Sequence, residues 1–76
     1  MKDNYKKHLI SVGKKLREIR DANKWSQEEV ATKCDTVNAA KISKMENARE
    51  DYNFTTLLEL CDALKVDISD IVKFEE

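Results

Sequence analysis

Apolar residues recur every three or four positions from Leu9 through Val12, Leu16 and Ile19, which draws one stripe along a first α-helix. Gly13 stands inside that pattern, where it costs about 1 kcal/mol against alanine, so a close approach by another helix is the expected reason for it. Four further helices are marked by their starts. Ser26 and Glu29 form a capping box, with Trp25 before it able to staple onto Val30. The same order of apolar residue, capping residue and apolar residue four further on returns as Val37, Asn38, Ile42, as Tyr52, Asn53, Leu57, and as Val66, Asp67, Ile71. The second helix is therefore expected from about Gln27 to Lys33 or Cys34, the third from Ala39 to Asn47, the fourth from Phe54 to Lys65 and the fifth from Ile68 to Phe74.

These five segments leave no room for strands. Proline is absent, Gly13 is the one glycine, and β-branched residues never alternate with polar ones. The fold class is all-α. Seventy-six residues suffice for one small core but not for a separate catalytic domain. Residues 1–11 read as a basic N-terminal extension and residues 12–76 as the domain. The extension is either a helical continuation capped by Asp3 or Asn4 or a basic arm. Within the domain, Leu57, Leu58, Leu60, Cys61 and Leu64 make the fourth helix the most apolar segment and the expected floor of the core.

Charge adds a direction. The net charge is only -1, yet the chain up to Arg49 holds twelve basic and seven acidic residues (+5), and from Glu50 onward two basic and eight acidic (-6). A basic first half can present one cationic face to a polyanion. Cys34 and Cys61 fit no metal spacing and no CxxC pair, and both fall at apolar helix positions, so buried packing is expected of them rather than redox switching. No apolar run suggests a signal peptide or membrane span, which points to the cytoplasm or nucleoid of a prokaryote. His8 is the lone histidine and has no serine or cysteine placed to form a triad with it. Neither an enzyme, a cofactor, a metal nor a small-molecule ligand is expected.

The segment from Trp25 to Glu46 reads as two short helices joined by a turn around Asp35 to Asn38, a helix-turn-helix that presents its second helix to DNA. Ile42 and Met45 face inward, leaving Ala39, Ala40, Lys41, Ser43 and Lys44 as a small, polar and cationic outer surface. GKKLREIR (13–20), SQEEVA (26–31), ISKMEN (42–47) and TTLLELCDALKV (55–66) stand in an order and at intervals that resemble the phage-repressor-like helix-turn-helix family. That family comprises the small five-helix domains of Cro and lambdoid repressors, XRE-type regulators and restriction-modification controller proteins. The segment from Ala31 to Val37 is one residue longer than the usual turn, with Asp35 and Thr36 where a glycine is common. Ala48 and Tyr52 stand where the family has glycine and proline. Glu50 and Asp51 then lie in a loop that often runs near the sugar-phosphate backbone, where carboxylates oppose phosphate unless the loop bends away.

The resemblance implies a compact lambda-repressor-like domain that binds double-stranded DNA as a transcriptional regulator. It implies that Gln27 clamps a phosphate, with Ser26 and Arg49 as further candidate phosphate contacts. It puts base contacts on Asn38, Ala39, Ala40, Ser43 and Lys44, with Lys41 reaching a base or a phosphate. The alanines suit thymine methyls, and Lys44 suits guanine O6 and N7. Arg20 and Glu46 match a structural ion pair between the first helix and the end of the third. A homodimer through Leu64, Ile68, Val72 and Phe74 is expected, with RNA polymerase as a candidate partner of the acidic second half. The rival reading is an antitoxin-like or accessory interaction module that uses Tyr52, Ile71 and Phe74.

Overall fold

The computed structural model describes the backbone of residues 3–72 and the side chains of residues 5–72. In it α1 (Asp3–Ala22), α2 (Gln27–Ala31), α3 (Ala39–Glu46), α4 (Phe54–Leu64) and α5 (Ile68–Ile71) follow one another, with no strand among the described residues. From Asp3 onward the N-terminal extension is helical: α1 runs unbroken through the boundary expected between residues 11 and 12. The capping expected of Asp3 or Asn4 concerns side chains outside the described set.

All four expected starts are found, three of them with the N-cap side chain engaged. Ser26 Oγ accepts from Glu29 N and Glu29 Oε1 accepts from Ser26 N, both at 3.0 Å, while Asn38 Oδ1 accepts from Lys41 N and Asn53 Oδ1 from Thr56 N, both at 2.8 Å. At α5 the Asp67 amide donates to Asp70 Oδ2 at 3.1 Å. The Ser26, Asn38 and Asn53 side chains each satisfy a first-turn amide that has no intrahelical partner, whereas at α5 it is the amide of Asp67 itself that is satisfied. The apolar residues four beyond the caps, Val30, Ile42, Leu57 and Ile71, are all buried.

α3 and α4 end within one residue of expectation, but α2 and α5 end early: α5 stops at Ile71 rather than at Phe74, with Val72 already extended. α2 stops at Ala31 rather than at Lys33 or Cys34, because Lys33 N donates to Val30 O and Cys34 N to Ala31 O, both at 3.0 Å, in i to i−3 bonds that tighten and end the helix. The connection to α3 thus spans residues 32–38, longer than a minimal turn. α1, α3 and α4 end in one geometry. The amides of Trp25, Arg49 and Val66 donate to the carbonyls of Arg20, Lys44 and Cys61, and Lys24, Ala48 and Lys65 between them take left-handed φ values of 59°, 52° and 61°. These are Schellman ends without glycine.

The core joins α1 (Val12, Leu16), α2 (Val30), the connection (Val37), α3 (Ile42, Met45), α4 (Leu57, Leu60, Cys61, Leu64) and α5 (Ile71). α5 packs against both α4 and α1, so its apolar residues are shared between two neighbours. Leu58 is the exception on α4: it is 41% exposed, beside Phe54 at 62%.

Candidate nucleic-acid interface

α3 has two chemically distinct sides. Ile42 and Met45 are 1% and 0% exposed, and Glu46 is buried with them. On the opposite side Asn38, Ala40 and Lys44 are exposed, while Ala39, Lys41 and Ser43 are half-buried. Thr36, Val37, Asn38, Ala40, Lys41, Lys44 and Thr56 line one open groove. Of the expected reading positions, Asn38, Ala40, Lys41 and Lys44 are therefore brought together at one surface, whereas Ala39 and Ser43 do not line it. Asn38 enters that surface with its Oδ1 engaged in the cap, which leaves the two hydrogens of its amide nitrogen as the groups directed to a ligand.

The buried side of α3 is anchored by a charge network. Arg20 Nε donates to Glu46 Oε2 at 2.6 Å and Nη2 to Oε1 at 3.0 Å, a two-pronged pair, while Nη1 donates to the Trp25 carbonyl at 2.8 Å. The two side chains are only 12% and 3% exposed. The hydrogen bond to Glu46 raises the Arg20 pKa above its ordinary value, so the guanidinium is permanently charged. Gln27 Nε2 also donates to Glu46 Oε1, at 3.2 Å. The side chain expected to clamp a phosphate is thus tethered at the base of α2 and keeps its carbonyl and one amide hydrogen for a ligand.

Gly13 explains how α1 comes so near. A Cβ there would lie 2.6 Å from the carbonyl oxygens of both Met45 and Glu46, so only a residue without a side chain lets α1 cross the end of α3 at this distance.

Glu59 was not distinguished by the sequence reading. From α4 its carboxylate accepts from Thr36 Oγ1 at 2.8 Å, from Thr36 N at 3.1 Å and from Asp35 N at 3.4 Å. These bonds hold the lengthened connection in place of a glycine turn, and they depress the Glu59 pKa, the Thr36 hydroxyl being the largest cause. Its only local signal was a carboxylate among the leucines of the fourth helix.

Glu50 does bend toward the reading surface. Its Oε1 is ion-paired with Lys41 Nζ and its Oε2 lies 3.7 Å from Lys44 Nζ. The bond to Lys41 holds the Glu50 carboxyl below its usual range. Arg49 is exposed next to it.

The surface expected for dimerisation is rearranged. Leu64 is 3% exposed and lies in the monomer core, so it has no surface to offer. Ile68 and Val72 are half-buried, Phe74 lies outside the described residues, and Leu58 lines an open groove together with Ile68. The rival protein-binding surface loses its centre, since Ile71 is 4% exposed and Tyr52 is half-buried. Cys61 is buried and Cys34 half-buried, and in both burial raises the thiol pKa, which disfavours the reactive thiolate. Among the described residues no group of three His, Cys, Asp or Glu is arranged to hold a metal, and no helix is long and apolar enough to cross a membrane.

A five-helix domain with capped α2 and α3, an ion pair binding α1 to α3 and a small cationic outer face defines a helix-turn-helix DNA-binding domain. The profile of the Cro/C1-type HTH DNA-binding domain matches residues 15–76, and the chain belongs to that family. No individual curated protein and no solved structure gives a significant match.

Proposed function

We propose that this protein is a sequence-specific transcriptional regulator that binds a palindromic operator in double-stranded DNA as a homodimer, with α3 in the major groove. The observation that carries the reading is the outer face of α3, where Asn38, Ala40 and Lys44 are exposed above a buried framework, in a chain of a DNA-binding family. An α-helix fits the major groove, whose base edges present a distinguishable code. Lys44 addresses guanine O6 and N7, the amide of Asn38 donates to a base or the backbone, and Ala39 and Ala40 allow close approach to thymine methyls. Ser43 and Lys41 complete the reading side. Gln27, Ser26 and the exposed Arg49 contact phosphates, which position the domain without reading sequence.

One domain covers few base pairs, and two copies gain affinity by placing two α3 helices about 34 Å apart on successive groove turns. The half-buried Ile68 and Val72, with Leu58 beside Ile68, support a contact through α4 and α5. An operator over a promoter gives repression by occlusion. One upstream brings the acidic second half toward RNA polymerase.

Selection of binding sites from random duplex DNA tests this. A palindromic consensus with half-sites about one helical turn apart is expected, and failure to enrich any sequence overturns it. Within the enriched site, Lys44→Ala should cost about 1 to 3 kcal/mol and relax preference at one base step. Equal binding by that variant removes Lys44 from the reading set.

A further inference from the structure

The lysines of the reading face are already occupied. Glu50 bridges Lys41 and Lys44, one oxygen to each, across a single turn of α3. Ala48 makes this possible: its left-handed φ of 52° reverses the chain, and Arg49 N donates back to Lys44 O at 2.9 Å, so residue 50 returns alongside the helix it has just left. The contrast with the other carboxylate pair is chemical. Arg20 and Glu46 are 12% and 3% exposed and shielded from solvent anions, whereas Lys41, Lys44 and Glu50 are 30%, 53% and 35% exposed and open to a competing anion. The adjacent Asp51 differs again, for its Oδ1 accepts from the Tyr52 amide at 2.8 Å and it makes no ion pair among the described residues.

We propose that Glu50 is a specificity-determining residue: it holds Lys41 and Lys44 in the unbound protein and releases them only to an acceptor in direct contact, so that loosely held duplex is disfavoured. This rests on the reading of α3 as the DNA-contacting helix. In a loose complex the phosphates are hydrated and distant, and a carboxylate at contact distance keeps the lysines while repelling the phosphates. At a cognate site guanine O6 and N7, or a phosphate oxygen in direct contact, replace the carboxylate as acceptor, and the lysines lose nothing by the exchange. The penalty of carrying Glu50 therefore falls mainly on wrong sequences. Specificity of this kind comes from a repulsive element as much as from an attractive one.

The test compares Glu50→Gln with Asp51→Asn, which remove the same charge from the same loop, on random-sequence duplex and on the selected site across a salt series. Circular dichroism melts verify that both variants are folded. Glu50→Gln should bind random duplex about three- to tenfold more tightly at low salt, with a log-log salt slope steeper by roughly 0.9. Its affinity for the selected site should rise less, so the specificity ratio falls. Asp51→Asn should leave that ratio unchanged. Wild-type behaviour of Glu50→Gln, an equal rise on both DNAs, or the same effect from Asp51→Asn overturns the role of Glu50 alone. Absence of salt-dependent duplex binding by the wild-type protein overturns the DNA reading and this inference with it.

Discussion

Gly13→Ala sets helix propensity against packing and gives the sharpest test of how the recognition helix is held. Propensity by itself favours alanine by about 0.8 to 1.0 kcal/mol in a helix interior. Against this, the new Cβ would lie 2.6 Å from the carbonyl oxygens of Met45 and Glu46 and 3.0 Å from the Glu46 carbonyl carbon, whereas ordinary contact begins at 3.4 Å. The obstacle is backbone on both counts and cannot rotate aside, so α1 and α3 must part by a distance on the order of 0.8 Å. Overpacking of this kind costs about 1 to 3 kcal/mol. Two of the three displaced atoms belong to Glu46, whose carboxylate meets Arg20 at 2.6 Å, so part of that pair is loosened too. Subtracting the propensity gain leaves a loss of about 0 to 2 kcal/mol, to which the loosened ion pair adds, so a net destabilisation is expected. For a domain of this size 1 kcal/mol moves Tm by about 4 to 8 °C. Thermal and urea unfolding should show the loss, with Ser11→Ala, exposed on the same helix, as the control that registers propensity alone. A Gly13→Ala variant as stable as the wild type, or more so, refutes the close-contact account.

Three further outcomes follow from the same framework. Glu46→Ala should lose about 3 to 5 kcal/mol in urea unfolding, since it strands the nearly buried Arg20 guanidinium, and an unchanged transition midpoint would remove the pair from the framework. Lys65→Gly should raise stability by about 0.5 kcal/mol, because an L-residue in the left-handed region costs about 1 to 2 kcal/mol and glycine returns part of that gain through its freer unfolded chain; a drop in Tm would contradict it. Glu59 has a folded-state pKa below its unfolded one, so its contribution is present above the ordinary carboxylate pKa and is lost as pH falls through the depressed value. The stability difference between wild type and Glu59→Gln should accordingly shrink as pH falls below about 4.5, and a difference that is flat across that window would show that the carboxylate does not hold the connection.

The helix starts were legible because each depends on residues within four positions of one another. Ser26, Asn38, Asn53 and Asp67 stand before the helices that the structure begins at the next residue. The stops were read unevenly: α3 and α4 end within one residue of expectation although Ala48 and Lys65 fill Schellman positions that glycine ordinarily marks, whereas α2 and α5 end two or three residues early. What made those residues adopt the left-handed turn is the capping of the preceding carbonyls together with packing of the chain beyond, neither of which a residue type announces. Among candidate site residues, the grouping of Ala40, Lys41 and Lys44 away from the core followed from helical period once Ile42 and Met45 were assigned to the core. Leu58 and Leu64 show the converse: both are leucines on one helix, and only the packing of the other helices around α4 decides that Leu64 is covered and Leu58 is not.

By itself, then, the sequence determined the all-α class, the number of helices, their starts and the order of motifs that marks a helix-turn-helix, since all of these rest on periodicity and capping within a few residues. Tertiary structure decided what Gly13 makes room for, that Glu59 secures the lengthened connection from α4, that Gln27 leans on Glu46, and that Glu50 returns to cover the lysines of α3. The physical reason is common to them all: each joins groups brought to hydrogen-bonding or van der Waals distance by the path of the backbone, and that path is set by the packing of the whole core.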